Sequence, residues 1–494
     1  MLGIFLLSAS VYAITAPGRI DIIDGQLRFE VARMLVRDGT PRIVDPFLPA
    51  LDGVDGRYTH YGALSSLVGV PWVALADAFG GGPGAEMFAF SFAQVGFASL
   101  VLAVLYREWR LDGISERASR VSAALVGVGT PWWLYASSCF DQVVQGALLL
   151  GVFLAARRAA RHDSAGWALA AGLSYAAILQ AQEVFVVLIP FALPMLMRDG
   201  ERPGVFLRSS RPRMFLAAAF LGILGVFFYN HLRFGSPFTS GKEDLGHPVI
   251  GNPLVGLAGL LFSPGKSVFL YHPLILLCLV GWWTVRSRFS ALSRGTAAFV
   301  LAYTLLISWL LFWPGEWAWG PRSLVFTLPL VAFGLPWGIA RVGTRATAAC
   351  ASVAFVVQLL SVLVDHQGWY FSLGFEPNFW LDPLAEWRHS ALYSRPAEVL
   401  ALLDGPPLPP VAFAPGPRPD LPTYCIFGFD EPARASEWMK HHAVFWLPRM
   451  WPLWFPHVPA SLRPVDPRPV LLALVALAAV GGGLLLRDRG ADHG

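Results

Sequence analysis

Residues 17–61 carry a dense set of groups that can move protons or hold anions. Asp21, Asp24, Arg28, Asp45, Asp52, Asp55, Arg57, His60 and Tyr61 all fall in PGRIDIIDGQLRFEVARMLVRDGTPRIVDPFLPALDGVDGRYTHY. A carboxylate in such a stretch can take a proton from a hydroxyl, and arginines can grip the oxygens of an anionic group. The stretch is the first long polar interruption after an apolar N-terminus, so it lies beside a predicted membrane surface. It reads as the catalytic loop of a membrane enzyme, with the rest of the chain as its holder.

The holder is greasy. Of 494 residues, 55% are hydrophobic and 14% charged, with a mean hydropathy of +0.53. A soluble chain of this length carries about a quarter charged residues. Apolar runs near 20 residues, each closed by arginines, mark an all-α polytopic membrane protein. The net charge of +4 sits mainly in short arginine loops, so it reports topology and predicts no nucleic-acid partner. The 19 tryptophans suit aromatic belts at the two interfaces. Cys139, Cys278, Cys350 and Cys425 have no disulfide or metal spacing, and His441-His442 lacks partners, so no metal is predicted.

Apolar spans are expected at 1–15, 86–106, 120–136, 141–156, 165–180, 184–197, 214–230, 268–285, 296–313, 323–340, 347–364 and 469–486. The first has no basic leader, which favours a helix over a signal peptide. Arginines at 157–161, 198–213, 286–294, 341–345 and 487–489 place those loops in the cytoplasm. Parity then makes 62–80 interfacial or re-entrant and leaves about twelve spans with both termini inside. The expected units are a transmembrane catalytic domain at 1–364, including the first outer loop 17–85, and an extracytoplasmic Pro/Trp-rich loop at 365–468. A last helix and cytoplasmic tail occupy 469–494. Within 17–61, Leu27, Val31, Met34 and Leu35 share one helical face while Gln26, Glu30, Arg33 and Arg37 share another. That pattern predicts an amphipathic helix along the membrane, stopped by Gly39 and Pro41.

Ionisable groups gather at outer helix ends: Asp24, Asp141, Glu183, Lys242, Lys266, Glu316, Arg322 and Asp365. A transporter or flippase of polar solutes keeps such groups at mid-membrane, along its route. An enzyme acting on a lipid-linked substrate needs them at headgroup depth. A structural subunit docking through 365–468 would need neither. The distribution favours the enzyme. Plainer roles compete for each residue: Asp24 as a helix N-cap, Asp21 as support of the same turn, and Asp52 and Asp55 as turn residues. His60 could equally anchor at the interface, Lys266 snorkel, and Arg322 begin a span.

Asp24-Gly25-Gln26, followed by Phe29-Glu30-Val31-Ala32-Arg33-Met34-Leu35 and Asp38-Gly39, resembles the first outer loop of GT-C glycosyltransferases. These include the protein O-mannosyltransferases and lipid A aminoarabinose transferases. Their pattern is roughly Asp-Glu, a short gap, then Glu-Ile-Ala-Arg-Glu-Met and a Gly. A bacterial branch of that superfamily is similar at Asp55-Gly56-Arg57-Tyr58 with Tyr61-Gly62, and at Asn230-His231-Leu232-Arg233-Phe234-Gly235-Ser236-Pro237. The same holds for Gly259-Leu260-Leu261-Phe262-Ser263-Pro264-Gly265-Lys266, Trp319-Gly320-Pro321-Arg322 and Gln358-Leu359-Leu360. The set spans 1–370. It departs from the pattern at Gly25, where a second acidic residue is usual, and at Leu27, where an Arg is common and Arg28 is adjacent.

The resemblance implies a multi-span helical fold with an outward-facing site in a bacterial cytoplasmic membrane, and Asp24 in the catalytic role. It implies a polyprenyl-phosphate sugar as donor and an envelope glycan, glycolipid or protein as acceptor. The chemistry agrees with the residues. Inversion at a sugar carbon needs one base and no covalent intermediate, which Asp24 can supply, with Asp21 beside it. The leaving phosphate needs cations; the outer-side candidates are Arg28, Arg57, His60, Arg233, Lys242, Lys266 and Arg322, with Tyr61 close by.

Overall fold

The computed structural model describes residues 1–18, 20, 22–46, 48, 50–243, 250–315, 318–363, 385–404 and 467–487. Asp21, Asp365, Glu316, Cys425 and His441-His442 lie outside the described residues, as does most of 365–468.

Helices dominate, because apolar runs in lipid must satisfy their own backbone groups. Among the described residues, six are long and apolar enough to cross a membrane: Gly84–Leu111, Gln142–His162, Ser210–Phe234, Ser290–Trp309, Thr344–Leu363 and Arg468–Leu486. The chain is therefore read as a multi-pass membrane protein. The other expected spans are helical but shorter or broken. Leu2–Thr15 has 14 residues. Expected span 120–136 divides into Glu116–Val128 and Trp132–Ala136 around Pro131, where the proline has no N–H for the ladder. Pro190 and Pro194 turn Glu183–Leu196 into alternating 3-10 and α segments. Arg322–Ala332 and Leu335–Val342 meet at 71°. Leu64–Ala78 is a helix as well, and Pro253–Phe262 forms one between the expected spans 214–230 and 268–285.

Helix contacts run through small residues, as expected where lipid supplies no hydrophobic drive between helices. Ile275–Val285 crosses Leu335–Val342 so closely that a Cβ on Gly281 would strike the Gly334 carbonyl, and one on Gly338 the Leu277 carbonyl. Pro467–Arg487 lies against Leu2–Thr15, where a Cβ on Gly3 would come 2.8 Å from the Gly481 carbonyl. Gln142–His162 is central: 67% of its apolar window is buried, against 6% for the last helix, which leaves nearly all its surface to lipid.

Ion pairs mark both ends of that central helix. Asp141 precedes its first turn, while Arg157 lies 16 residues on, about 24 Å along the axis. There Arg157 pairs with Asp112 and Glu108, sandwiched between the rings of Phe289 and Phe333. Arg158 adds a second bond to Glu108 at 2.6 Å.

The expected first outer loop is more deeply packed than its pattern suggests. Ile23–Asp38 is buried on every side from Asp24 to Ala32, including Gln26, Arg28 and Glu30. This corrects the expectation of a surface-lying amphipathic helix: from Asp24 to Ala32 the helix is enclosed, and exposure begins only toward its last turn, at Arg37 and Asp38. Arg33 bonds Glu30 at 2.9 Å and Arg37 bonds the fully buried Glu86 at 2.6 Å. A two-residue hairpin follows, pairing Leu51 with Tyr58 and Asp52 with Arg57. Its turn seats on the end of Ser210–Phe234, with Val54 N–H donating to the Arg233 carbonyl at 2.9 Å. Gly53 permits that approach, since a Cβ there would collide with the same carbonyl. Within 365–468, Ala391–Asp404 is helical and packs on Thr344–Leu363.

Candidate active site

Asp24 sits in the first turn of Ile23–Asp38, whose N-cap position is Ile22, and among the described residues its carboxylate meets side chains from distant segments. Oδ1 accepts from the Tyr61 hydroxyl at 2.6 Å, and Oδ2 lies 3.6 Å from an Arg322 Nη. The N-cap alternative is thereby set aside. Gly25, beside it, faces Cys139 and Ile20: a Cβ would come within 2.7 Å of the Cys139 Cβ and 2.8 Å of an Ile20 methyl. No second acidic side chain fits there without movement.

Arg28 follows one turn later, on the same helix face as Asp24. One Nη donates to Asp141 Oδ2 at 3.1 Å, and the guanidinium covers the Tyr61 ring at 4.5 Å. Its other Nη is buried and has no hydrogen-bond partner among the described residues. Arg322 opens the 3-10 turn Arg322–Thr327 and stacks over Phe140 at 4.5 Å. Two guanidiniums therefore meet two carboxylates, Asp24 and Asp141, at one end of the central helix. An arriving phosphate would add negative charge to a near-neutral group and compete for both arginines.

Burial works against the charged form of Asp24, but Arg28, Arg322 and the Tyr61 hydrogen bond outweigh it and hold the carboxyl below the usual carboxylate range. His60 stacks on Tyr61 with ring centroids 4.2 Å apart. Burial and the nearby Lys242, Arg28 and Arg233, opposed by Asp24, take its pKa down to about 4. The imidazole is thus neutral at neutral pH and adds little attraction of its own to Asp24.

No family model matches this sequence, and no curated protein does. Among solved structures the chain is similar to ArnT from Cupriavidus metallidurans in the apo state, at 13% identity and a TM-score of 0.47. That match covers 88% of this chain and 74% of the other. The same enzyme bound to undecaprenyl phosphate matches at 16% identity, TM-score 0.47, over 80% and 75% of the two chains. The Archaeoglobus fulgidus oligosaccharyltransferase in its apo form matches at 12% identity, TM-score 0.47, over 76% of this chain and 57% of that longer one.

The remaining expected cations have other employment. Arg57 donates to the carbonyls of Asp45 and Leu48 at 3.1 and 2.6 Å, bracing the loop before the hairpin. Arg233 donates to the carbonyls of Thr59 and Tyr61. Lys266 is fully buried, and its ammonium donates to the Ala318 carbonyl at 2.6 Å, steadying the segment that leads to Arg322. Lys242 pairs with Glu183 at 2.7 Å, both partly exposed. Of the expected site residues, Arg28, Tyr61, His60 and Arg322 gather around Asp24. Asp141 and Phe140 join them without having been selected from the sequence. Asp141 stands out there only as an acid at an outer helix end; its partner Arg28 is 113 residues away. Among the described residues, no three His, Cys, Asp or Glu side chains come together as metal ligands.

Proposed function

We propose that this chain is an inverting glycosyltransferase of the bacterial cytoplasmic membrane, with about twelve spans and its site on the outer face. It takes a sugar from a polyprenyl-phosphate donor and passes it to a hydroxyl of an envelope glycan, lipid or protein. One observation carries this reading: a buried carboxylate, Asp24, is held between two arginines at one end of the central helix. The acceptor oxygen attacks the anomeric carbon as the bond from that carbon to the phosphate oxygen breaks. Asp24 takes the acceptor's proton, and the departing polyprenyl phosphate leaves against Arg28 and Arg322. Asp21 is three residues before the base and is kept as its companion. Arg57, Arg233 and Lys266 act by holding the loops that carry Tyr61 and Arg322.

A carboxylate held below its ordinary range is fully ionised at neutral pH but a weak base. Donor binding resolves this. The phosphate draws Arg28 and Arg322 toward itself and adds negative charge nearby, which raises the Asp24 pKa just before it must accept a proton. The base must be ionised, so activity falls as pH drops through its pKa. The acid limb of kcat/KM, which reports free enzyme, is expected at lower pH than the acid limb of kcat, which reports the donor complex. Rates of label transfer from undecaprenyl-phosphate sugars between pH 3.5 and 8, fitted for both parameters, check this. Coincident limbs would contradict it. The same carboxylate stabilises the fold only above its unfolded-state pKa, and that contribution disappears as pH falls through the depressed folded value.

A further inference from the structure

We propose that Arg233 and Tyr61 form a positioning relay that fixes the Asp24 carboxylate, so that Tyr61 serves the base and is not a ligand of the donor phosphate. The proposal rests on the reading of Asp24 as the base. Its starting point is Arg233, a cation only 2% exposed in the last turn of Ser210–Phe234. A buried cation used for anion binding would keep donors turned toward its ligand. Arg233 instead donates to the carbonyls of Thr59 and Tyr61 and, at 2.7 Å, to Asn230 Oδ1, with its plane 4.1 Å over the Tyr229 ring. These bonds pin the backbone of residues 59–61 to the end of a long helix.

From that anchored backbone the Tyr61 side chain reaches Asp24. Its ring lies against His60 at 4.2 Å and Arg28 at 4.5 Å, which restricts rotation. Its hydroxyl then spends its only proton on Asp24 Oδ1 at 2.6 Å. That bond occupies one carboxylate oxygen and leaves Oδ2 beside Arg322, at 3.6 Å. Oδ2 becomes the oxygen that receives the acceptor's proton once the donor phosphate draws Arg322 away. The groups facing the carboxylate are thus Arg28 from its own helix, His60 and Tyr61 from the segment after the hairpin, and Arg322 from the 3-10 turn.

Tyr61→Phe keeps the stacked ring and removes only the hydroxyl, so a role limited to packing predicts no change. Dicyclohexylcarbodiimide reports the carboxyl without needing a sugar substrate. The protonated acid adds across the carbodiimide, its proton passing to nitrogen and its oxygen to carbon; the acyl group of this O-acylisourea then shifts from oxygen to nitrogen, and the stable N-acylurea is read by mass spectrometry. Full-length protein in lipid nanodiscs is labelled across pH, with Asp24→Asn giving the blank. The Tyr61→Phe protein is expected to half-label at a pH about 0.5–1 unit above wild type, as loss of a hydrogen bond to the charged form requires. Arg233→Lys, at an unchanged melting temperature, moves the midpoint the same way, and Tyr393→Phe, altering an exposed ring outside the relay, leaves it in place. In transfer assays Tyr61→Phe is expected to lower kcat about tenfold with the donor KM held. A labelling curve superimposed on wild type would overturn the relay. So would a tenfold rise in donor KM at constant kcat, which would make Tyr61 a donor ligand. A shifted midpoint in a protein that transfers no sugar would uphold the relay and remove the transferase reading.

Discussion

Asp24→Asn, expressed at the wild-type level, is expected to lose at least about a hundredfold in sugar transfer, the scale of a general base removed. That is about 2.7 kcal/mol of barrier. The substitution preserves shape, and the Tyr61 hydroxyl can still donate to the asparagine oxygen, so folding should survive. What disappears is the group that receives the acceptor's proton and the negative charge beside Arg322. Donor binding should be retained or improved, because phosphate no longer competes with a carboxylate for Arg28 and Arg322. Initial rates and donor binding, measured on the same preparation, separate these effects. Equal rates in variant and wild type would reduce Asp24 to a structural acid.

Arg28→Met is expected to lose a hundredfold or more in kcat, the usual cost of deleting a donor from a developing anion. Two effects overlap in that variant. Arg28 is 2% exposed and is the ion-pair partner of Asp141, also 2% exposed. Stranding a buried carboxylate costs about 3–5 kcal/mol, so the single variant should also melt early. A second change, Asp141→Leu, removes the stranded charge. The double variant is expected to recover most of the melting temperature and none of the activity. Recovered transfer would instead show that Arg28 serves only to neutralise Asp141, and the phosphate role would pass to Arg322 alone.

Much of the bundle was legible because lipid imposes a strong local code. Each expected apolar run is helical in the structure, although several are short or divided, and the breaks at Pro131, Pro190 and Pro194 follow from missing backbone donors. Asp24, Arg28, His60 and Tyr61 were legible because they share one short polar segment. Asp141 was not selected, since nothing near it in the chain announces that its partner is Arg28. The helix at Ile23–Asp38 shows a second limit. Periodicity separates polar from apolar faces but cannot tell a polar face wetted by solvent from one paired with the buried Glu86, nor show that Asp24 and Arg28 on the other face meet Arg322 and Asp141. Arg233 and Lys266 show a third. A buried cation bound to carbonyls and one awaiting a phosphate have the same sequence signature.

The most direct measurement uses proteoliposomes loaded with an undecaprenyl-phosphate sugar labelled in both the sugar and the lipid, with wild type and Asp24→Asn compared side by side. The account predicts that wild type releases free undecaprenyl phosphate while its sugar appears on an added hydroxyl acceptor, and that the variant leaves the donor intact. Donor that stays intact with wild type but moves from one leaflet to the other would contradict it, and would make this chain a carrier of lipid-linked sugars.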